Sequence, residues 1–160
     1  MVPYGGFWWR VLAYFIDAIL LQIALSIVTG FLGLGVGFNA ALMGGNEDLI
    51  MGPMVAASFL ISFVAQWLYF ALLESSKMQA TVGKLAIGLI VTDLNGQRIS
   101  FGRATGRYFA KILSGLILLI GYIMVASTQR KQGLHDMIAS TLVYKTRDPR
   151  EVAEGADVFA

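Results

Sequence analysis

Residues 11–38 read VLAYFIDAILLQIALSIVTGFLGLGVGF, and within them Asp17 is the only charge. A helix needs about 20 predominantly apolar residues to cross a bilayer, so this run is long enough to span with residues to spare. It is too long, and too poorly flanked by basic residues, to be a cleavable secretory signal. Trp8 and Trp9 precede it as an interfacial aromatic anchor. Gly30, Gly33, Gly35 and Gly37 near its far end mark a loosened terminus or a close helix contact.

Working outward, the chain has 160 residues, of which 57% are hydrophobic and 14% charged, and it contains no cysteine. That composition predicts an α-helical integral membrane protein with neither disulfides nor a thiolate site. A second span is expected over 51–73, after a loop from Asn39 to Gly52 that holds Glu47 and Asp48 but no lysine or arginine. Within this span Ser58, Ser62, Gln66 and Tyr69 fall at spacings of four, four and three, so they share one helical face. Such a face serves either as hydrogen-bonding contact between helices or as a polar path for a solute.

Beyond Glu74 the chain turns basic, and KLAIGLIVTDLNGQRIS (84–100) has a strand signature in which Asn95-Gly96 predicts a β-hairpin with a type I′ turn between its β-prone flanks. STLVYK (140–145) is a second β-prone run. Pairing between β elements at about 85–100 and 140–145 makes a small sheet. An open sheet edge cannot lie in lipid, so both pieces share one aqueous compartment. The basic residues identify it: Arg10, six from Lys77 to Lys111 and five after Thr128, with none between Asn39 and Gly52. The N-terminus, sheet and C-terminus are therefore expected in the cytoplasm, in a multi-pass protein of the cell (inner) membrane.

A third apolar segment, at about 108–126, raises a difficulty, because a single crossing would strand 140–145 on the wrong side. Its most apolar part, Ile112 to Ala126, is also short for a span. A re-entrant helical hairpin broken near Ser114-Gly115 or Gly121 resolves this, and a conventional crossing from Tyr108 to Ala126 is the alternative. The residues leading in carry Arg103, Arg107 and Lys111 on one helical face, which with Lys84 makes a basic cytoplasmic face for anionic headgroups. A sharper use makes one of these cations, Arg107 first, the partner of a buried carboxylate.

Arg10 and Asp17 lie seven residues apart, two turns along one helix face. With the tryptophans at the interface, Asp17 lies about 12 Å deeper, near the middle of a hydrocarbon core about 30 Å thick. A carboxylate there costs about 2.5 to 3.5 kcal/mol, so it needs a partner. It is then either a structural anchor or an ion or proton site. His135 and Asp136 are adjacent in QRKQGLHDMIAS, which is poor helical geometry for a catalytic pair, and Asp136 suits a turn or helix-start role. One histidine without cysteine offers little for zinc, and no set of nucleophile, base and orienting group is apparent. No metal, cofactor, enzymatic activity or nucleic-acid partner is expected. The residues after Arg147, 148–160, read as a flexible polar tail following one membrane domain over 1–147.

WWRVLAYFIDAIL, TVGKLAIGLIVTDLNGQRISFGRATGR and GLHDMIASTLVY, in this order, resemble the RDD family of membrane proteins, named for one arginine and two aspartates. The resemblance runs from about Phe7 to Lys145 and matches Arg10, Asp17 and Asp136 to those three residues. Gly83, Lys84, Gly88, Asp93, Gly96, Arg107, His135 and Thr141 match as well. The stretch from Ser114 to Gly121 lacks the proline found near the family's third apolar segment. The resemblance implies a membrane domain and, because sodium–proton antiport has been proposed for some members, transport. The expected function is therefore cation/proton exchange by a homo-oligomer, with sodium, lithium or protons as its ions. Asp17 would be the carrier carboxylate, Ser58, Ser62 and Gln66 a supporting polar path, and Arg10 and Asp136 electrostatic partners. The alternative is a non-catalytic scaffold or accessory module that binds lipid or a partner protein.

Overall fold

The computed structural model describes residues 2–43, 47–116, 124–125 and 128–152. They form a mostly helical chain: α1 (Phe7–Met43), α2 (Glu47–Glu74), α3 (Val82–Ile87), β1 (Ile90–Asp93), α4 (Phe101–Leu116), α5 (Leu134–Ile138) and β2 (Thr141–Tyr144). Two stretches, Phe7–Phe38 and Met51–Glu74, are long and apolar enough to cross a membrane. The chain divides into two compact units, residues 18–66 and the remainder.

The unit formed by residues 18–66 consists of the far parts of α1 and the near part of α2. Many of its apolar side chains are exposed: Ile23, Ile27, Phe31, Val55 and Phe59 are all more than half exposed. The glycine-rich end does not loosen, since α1 runs unbroken to Met43. At Gly33 a Cβ would approach Met54 Cε at 3.2 Å, whereas nothing lies near Gly30, Gly35 or Gly37. The expected loop from Asn39 to Gly52 is correspondingly shorter, because α1 continues through its first residues and α2 begins at Glu47.

The other unit holds the sheet. β1 and β2 pair antiparallel with Ile90 opposite Tyr144 and Asp93 opposite Thr141. The N-terminal residues extend this edge: Lys145 N–H donates to Pro3 O and Gly5 N–H to Val143 O, each at 2.8 Å. Leu89, Val91 and Val143 pack with Ala13 of α1, Ala71 of α2, and Ile99 and Ala104. The opposite face is closed by Ala80 and Val152 over Ile90. The tail's first residues are thus folded, with 149–152 helical and Val152 buried.

The expected strand over 85–100 is largely replaced by other structure. Residues 82–87 are helical, and Gly88 ends the helix in the left-handed region at φ +76°. Gly88 N–H donates to Leu85 O and Leu89 N–H to Lys84 O, a Schellman motif that only a residue tolerant of positive φ completes. The Asn95-Gly96 turn forms, but Asn95 stays outside the positive-φ region that a type I′ turn requires, and Asp93 Oδ1 accepts from Asn95 N–H and Gln97 N–H instead. Residues 97–100 form no strand, so the expected hairpin is not made, and among the described residues β1 pairs with β2. The re-entrant turn and the alternative crossing both fall on residues 117–123, outside the described residues.

Two glycines make opposite predictions. A Cβ on Gly83 would lie 2.2 Å from Ala13 O and 2.8 Å from Asp17 Cγ, whereas one on Gly106, inside α4, meets nothing within 4 Å. Gly83→Ala should lower the thermal midpoint of detergent-solubilised protein, at a cost of about 3 kcal/mol. Gly106→Ala should raise it, with a gain of about 0.5–1 kcal/mol in stability, because alanine loses less backbone entropy in a helix.

Candidate functional site: two buried carboxylate clusters

Asp17 and Arg10 start from one helix but serve different clusters. Asp17, 1% exposed, accepts three hydrogen bonds: from Tyr69 Oη at 2.6 Å, Thr81 Oγ1 at 2.5 Å and Gly83 N–H at 2.7 Å. Tyr69 Oη also accepts from Val82 N–H at 3.2 Å. Thr81 makes no capping bond of its own to α3, so a carboxylate from α1 and a phenol from α2 serve the first N–H groups of α3. The requirement for glycine at 83 follows, because the α3 backbone must lie directly against Asp17.

The second cluster is ionic. Asp136 Oδ1 accepts from Arg107 Nη2 at 2.6 Å and Nε at 2.9 Å. Its Oδ2 accepts from Arg10 Nη1 and, at 3.1 Å, from Gly133 N–H, so Asp136 reaches back to the N-cap Gly133 from the third residue of α5 rather than capping a helix that starts at Met137. Arg10 is further fixed by Nε to Gly5 O at 2.8 Å and Nη2 to Lys131 O at 2.5 Å. Arg107 reaches with Nη1 to Glu74 Oε2 at 2.7 Å, and Glu74 Oε1 accepts from Lys84 Nζ and, at 3.2 Å, from Lys111 Nζ. One network thus joins α1, α2, α3, α4 and α5. Thr141 closes it from β2, its Oγ1 donating to Asp136 O at 3.4 Å.

Arg107 does pair with buried carboxylates, but they are Glu74 and Asp136 rather than Asp17. Glu74 escaped sequence reasoning because it stands at the end of an apolar span, where a carboxylate reads as a boundary; its signal was the run of cations after it. The expected basic face is mostly absent: Arg103 is exposed, 3.6 Å from Asp93 Oδ2, while Lys84 and Arg107 are buried against Glu74. The polar face of α2 divides as well. Ser58 Oγ donates to Met54 O of its own helix, Gln66 is exposed, Ser62 is half-buried, and Tyr69 alone of the four meets Asp17.

Burial opposes the charge of Asp136, but Arg107 and then Arg10 outweigh it and hold the carboxyl far below the usual range. Burial lowers the His135 imidazole to about 3, against the pull of Asp136, so it is neutral near pH 7. Burial likewise brings Lys84 down to about 7, opposed by Glu74 and assisted by Lys111 and Arg107. Among the described residues, no group of three or more histidines, cysteines or carboxylates could hold a metal.

A family model described as the RDD family matches residues 4–140. A Bacillus subtilis protein named "Uncharacterized protein YxaI" is 44% identical over 150 residues, covering 88% of this chain and 97% of the relative. "Uncharacterized membrane protein YteJ" of the same organism is 30% identical over 152 residues, covering 88% of this chain and 80% of the relative. No solved structure matches.

Removing one partner from the buried ionic network should cost far more than removing a surface charge. Asp136→Asn is expected to destabilise by about 3–5 kcal/mol, measured by thermal unfolding in detergent, because Arg10 and Arg107 lose their shared counter-charge. Acid should act through His135, which faces Asp136, Arg107, Lys111 and Arg10. Between pH 6.5 and about 3 the unfolded imidazole takes up a proton that the buried one refuses. The unfolded state then binds more protons, so stability falls as pH falls, with a slope approaching about 1.4 kcal/mol per pH unit. Asp136 adds to this loss only below its unfolded value of 3.8. His135→Gln should flatten the melting-temperature profile between pH 6.5 and 4.

Proposed function

The chain belongs to the RDD family, and on that premise we propose that it is a multi-pass membrane module of the scaffold or accessory type, whose buried charges lock a cytoplasmic head rather than carry ions. One observation carries this reading: Asp17 is sealed at 1% exposure by three donors from α2, α3 and the residue before α3. A carrier carboxylate must instead be reachable by water and free to exchange partners.

The hydrogen bonding supports the orientation. Residues 3–5 pair along β2, which supports an N-terminus in the same compartment as the sheet, and the distribution of basic residues supports the cytoplasm as that compartment. Arg107 and Asp136 touch at 2.6 Å, which a single crossing between Tyr108 and Ala126 would prevent, because it would separate them by most of a bilayer. A segment that leaves and re-enters on one face satisfies the contact. The helix from Ala18 to Phe38 alone spans about 31 Å, enough for the hydrocarbon core. Asp17 then lies just before this span rather than at mid-bilayer.

The deciding measurement is sodium- and lithium-driven proton movement in proteoliposomes, comparing the wild type with Asp17→Asn. The lock predicts no flux above protein-free vesicles in either, and a variant less stable by about 1–3 kcal/mol because an acceptor of three hydrogen bonds has been altered. Cation-dependent flux in the wild type that disappears in a folded Asp17→Asn protein would replace this reading with cation/proton exchange.

A further inference from the structure

The Asn95-Gly96 pair makes no hairpin, yet it stands in a tightly closed turn. Asp93 N–H donates to Gln97 O at 2.8 Å, while Asp93 Oδ1 accepts from Asn95 N–H at 2.9 Å and from Gln97 N–H at 2.8 Å. These bonds fix the main chain of Asn95; its side-chain carboxamide takes no part in them, and the residue is exposed. The next backbone nitrogen, that of Gly96, donates to Asp93 O at 3.3 Å, long for such a bond. Glycine carries no side chain to hinder that nitrogen, and its φ of +76° is one that few other residues adopt.

The same turn supports the C-terminal segment. Val152 is 4% exposed and packs with Ala80 and Ile90, and a Cβ at Gly96 would lie 3.2 Å from both Val152 Cγ1 and Val152 O. This segment is also tied to α3, because Arg147 Nη2 donates to Ala86 O at 3.3 Å and Lys145 Nζ to Ile87 O at 3.4 Å, serving carbonyls at the helix end. Gly96 is therefore where the turn after β1 meets the segment after β2, with no room for a longer main chain between them.

We propose that Asn95 is a site of spontaneous deamidation whose product unseats the C-terminal segment. The Gly96 nitrogen loses its proton to base and attacks Asn95 Cγ; the new C–N bond closes a succinimide ring, and the carboxamide nitrogen leaves as ammonia. Water then opens the ring at either carbonyl. One product is aspartate with an unchanged main chain, and the other is isoaspartate, whose main chain runs through Cβ. Nothing is oxidised or reduced, and water is the co-reactant. Isoaspartate lengthens the loop closed between Asp93 and Gln97 by one methylene, so either Gly96 is driven against Val152 or the closing bonds break. Val152 covers Gly96, so the reaction proceeds through local openings of this segment, which chain ends undergo at low cost. None of this depends on whether the protein moves ions or locks a membrane head.

The test incubates the full chain in detergent in mildly alkaline buffer. Conversion is followed by mass spectrometry of tryptic peptide 85–98, isoaspartate by enzymatic methylation, and the C-terminal segment by hydrogen exchange over residues 146–152. The unmodified peptide should be lost, with a gain of one mass unit, while Asn39 and Asn46, followed by alanine and glutamate, stay intact. Exchange over 146–152 should rise in step with isoaspartate. Asn95→Gln should neither convert nor loosen, Asn95→Asp should stay protected because it adds the charge without the methylene, and Val152→Ala should convert faster. Conversion of Asn95 no faster than that of Asn39 or Asn46 would overturn the modification site. Isoaspartate that accumulates with 146–152 still protected, or an Asn95→Asp protein that loosens equally, would overturn the unseating; unchanged conversion in Val152→Ala would overturn the route through local opening.

Discussion

Arg107 holds the head of this protein together. It is 1% exposed and bridges Glu74 of α2 to Asp136 of α5, two carboxylates 62 residues apart in the chain. A guanidinium is planar, always charged and able to serve two carboxylates in fixed directions, which a lysine cannot reproduce. Arg10 brings α1 to the same Asp136, so the start of the first helix, the end of the second and the return after α4 are tied at one point. Each of these charges alone would be expensive to bury; as a network they define which segments meet.

Asp17 works differently, although it shares a helix with Arg10. Its donors are neutral groups from the segment that opens α3, and the close approach at Gly83 holds that short helix against α1. A six-residue helix has little stability of its own, so α3 depends on contacts from outside. Arg10, Asp17 and Asp136 thus divide between two tasks: Asp17 supports α3, while Arg10 and Asp136 close the ionic network.

Much of this was legible along the chain. Long continuous apolar runs located both long helices, and β-prone segments located both strands. The helical form of 82–87 was readable too, since Gly88 is a helix-ending residue, but the β-branched residues beyond it extended the strand pattern backwards. Glu74 was the substantive omission. A carboxylate at the end of an apolar run looks like a solvated boundary, and nothing local distinguishes that from one surrounded by three cations drawn from α3 and α4.

By itself, the sequence determined the membrane class, the two long apolar helices and the pairing of two β-prone segments, and its motif order singled out Arg10, Asp17 and Asp136. These follow from composition, periodicity and motif order, which are properties of neighbours in the chain. Only the tertiary structure decided which charges meet: Arg10 with Asp136 rather than Asp17, Arg107 with Glu74 as well as Asp136, and Asp17 with hydroxyl groups and a backbone N–H. The physical reason is that a buried charge is satisfied by whatever donors the fold brings within about 3 Å, and spacing along a helix restricts the face a side chain occupies but not the element that packs against that face.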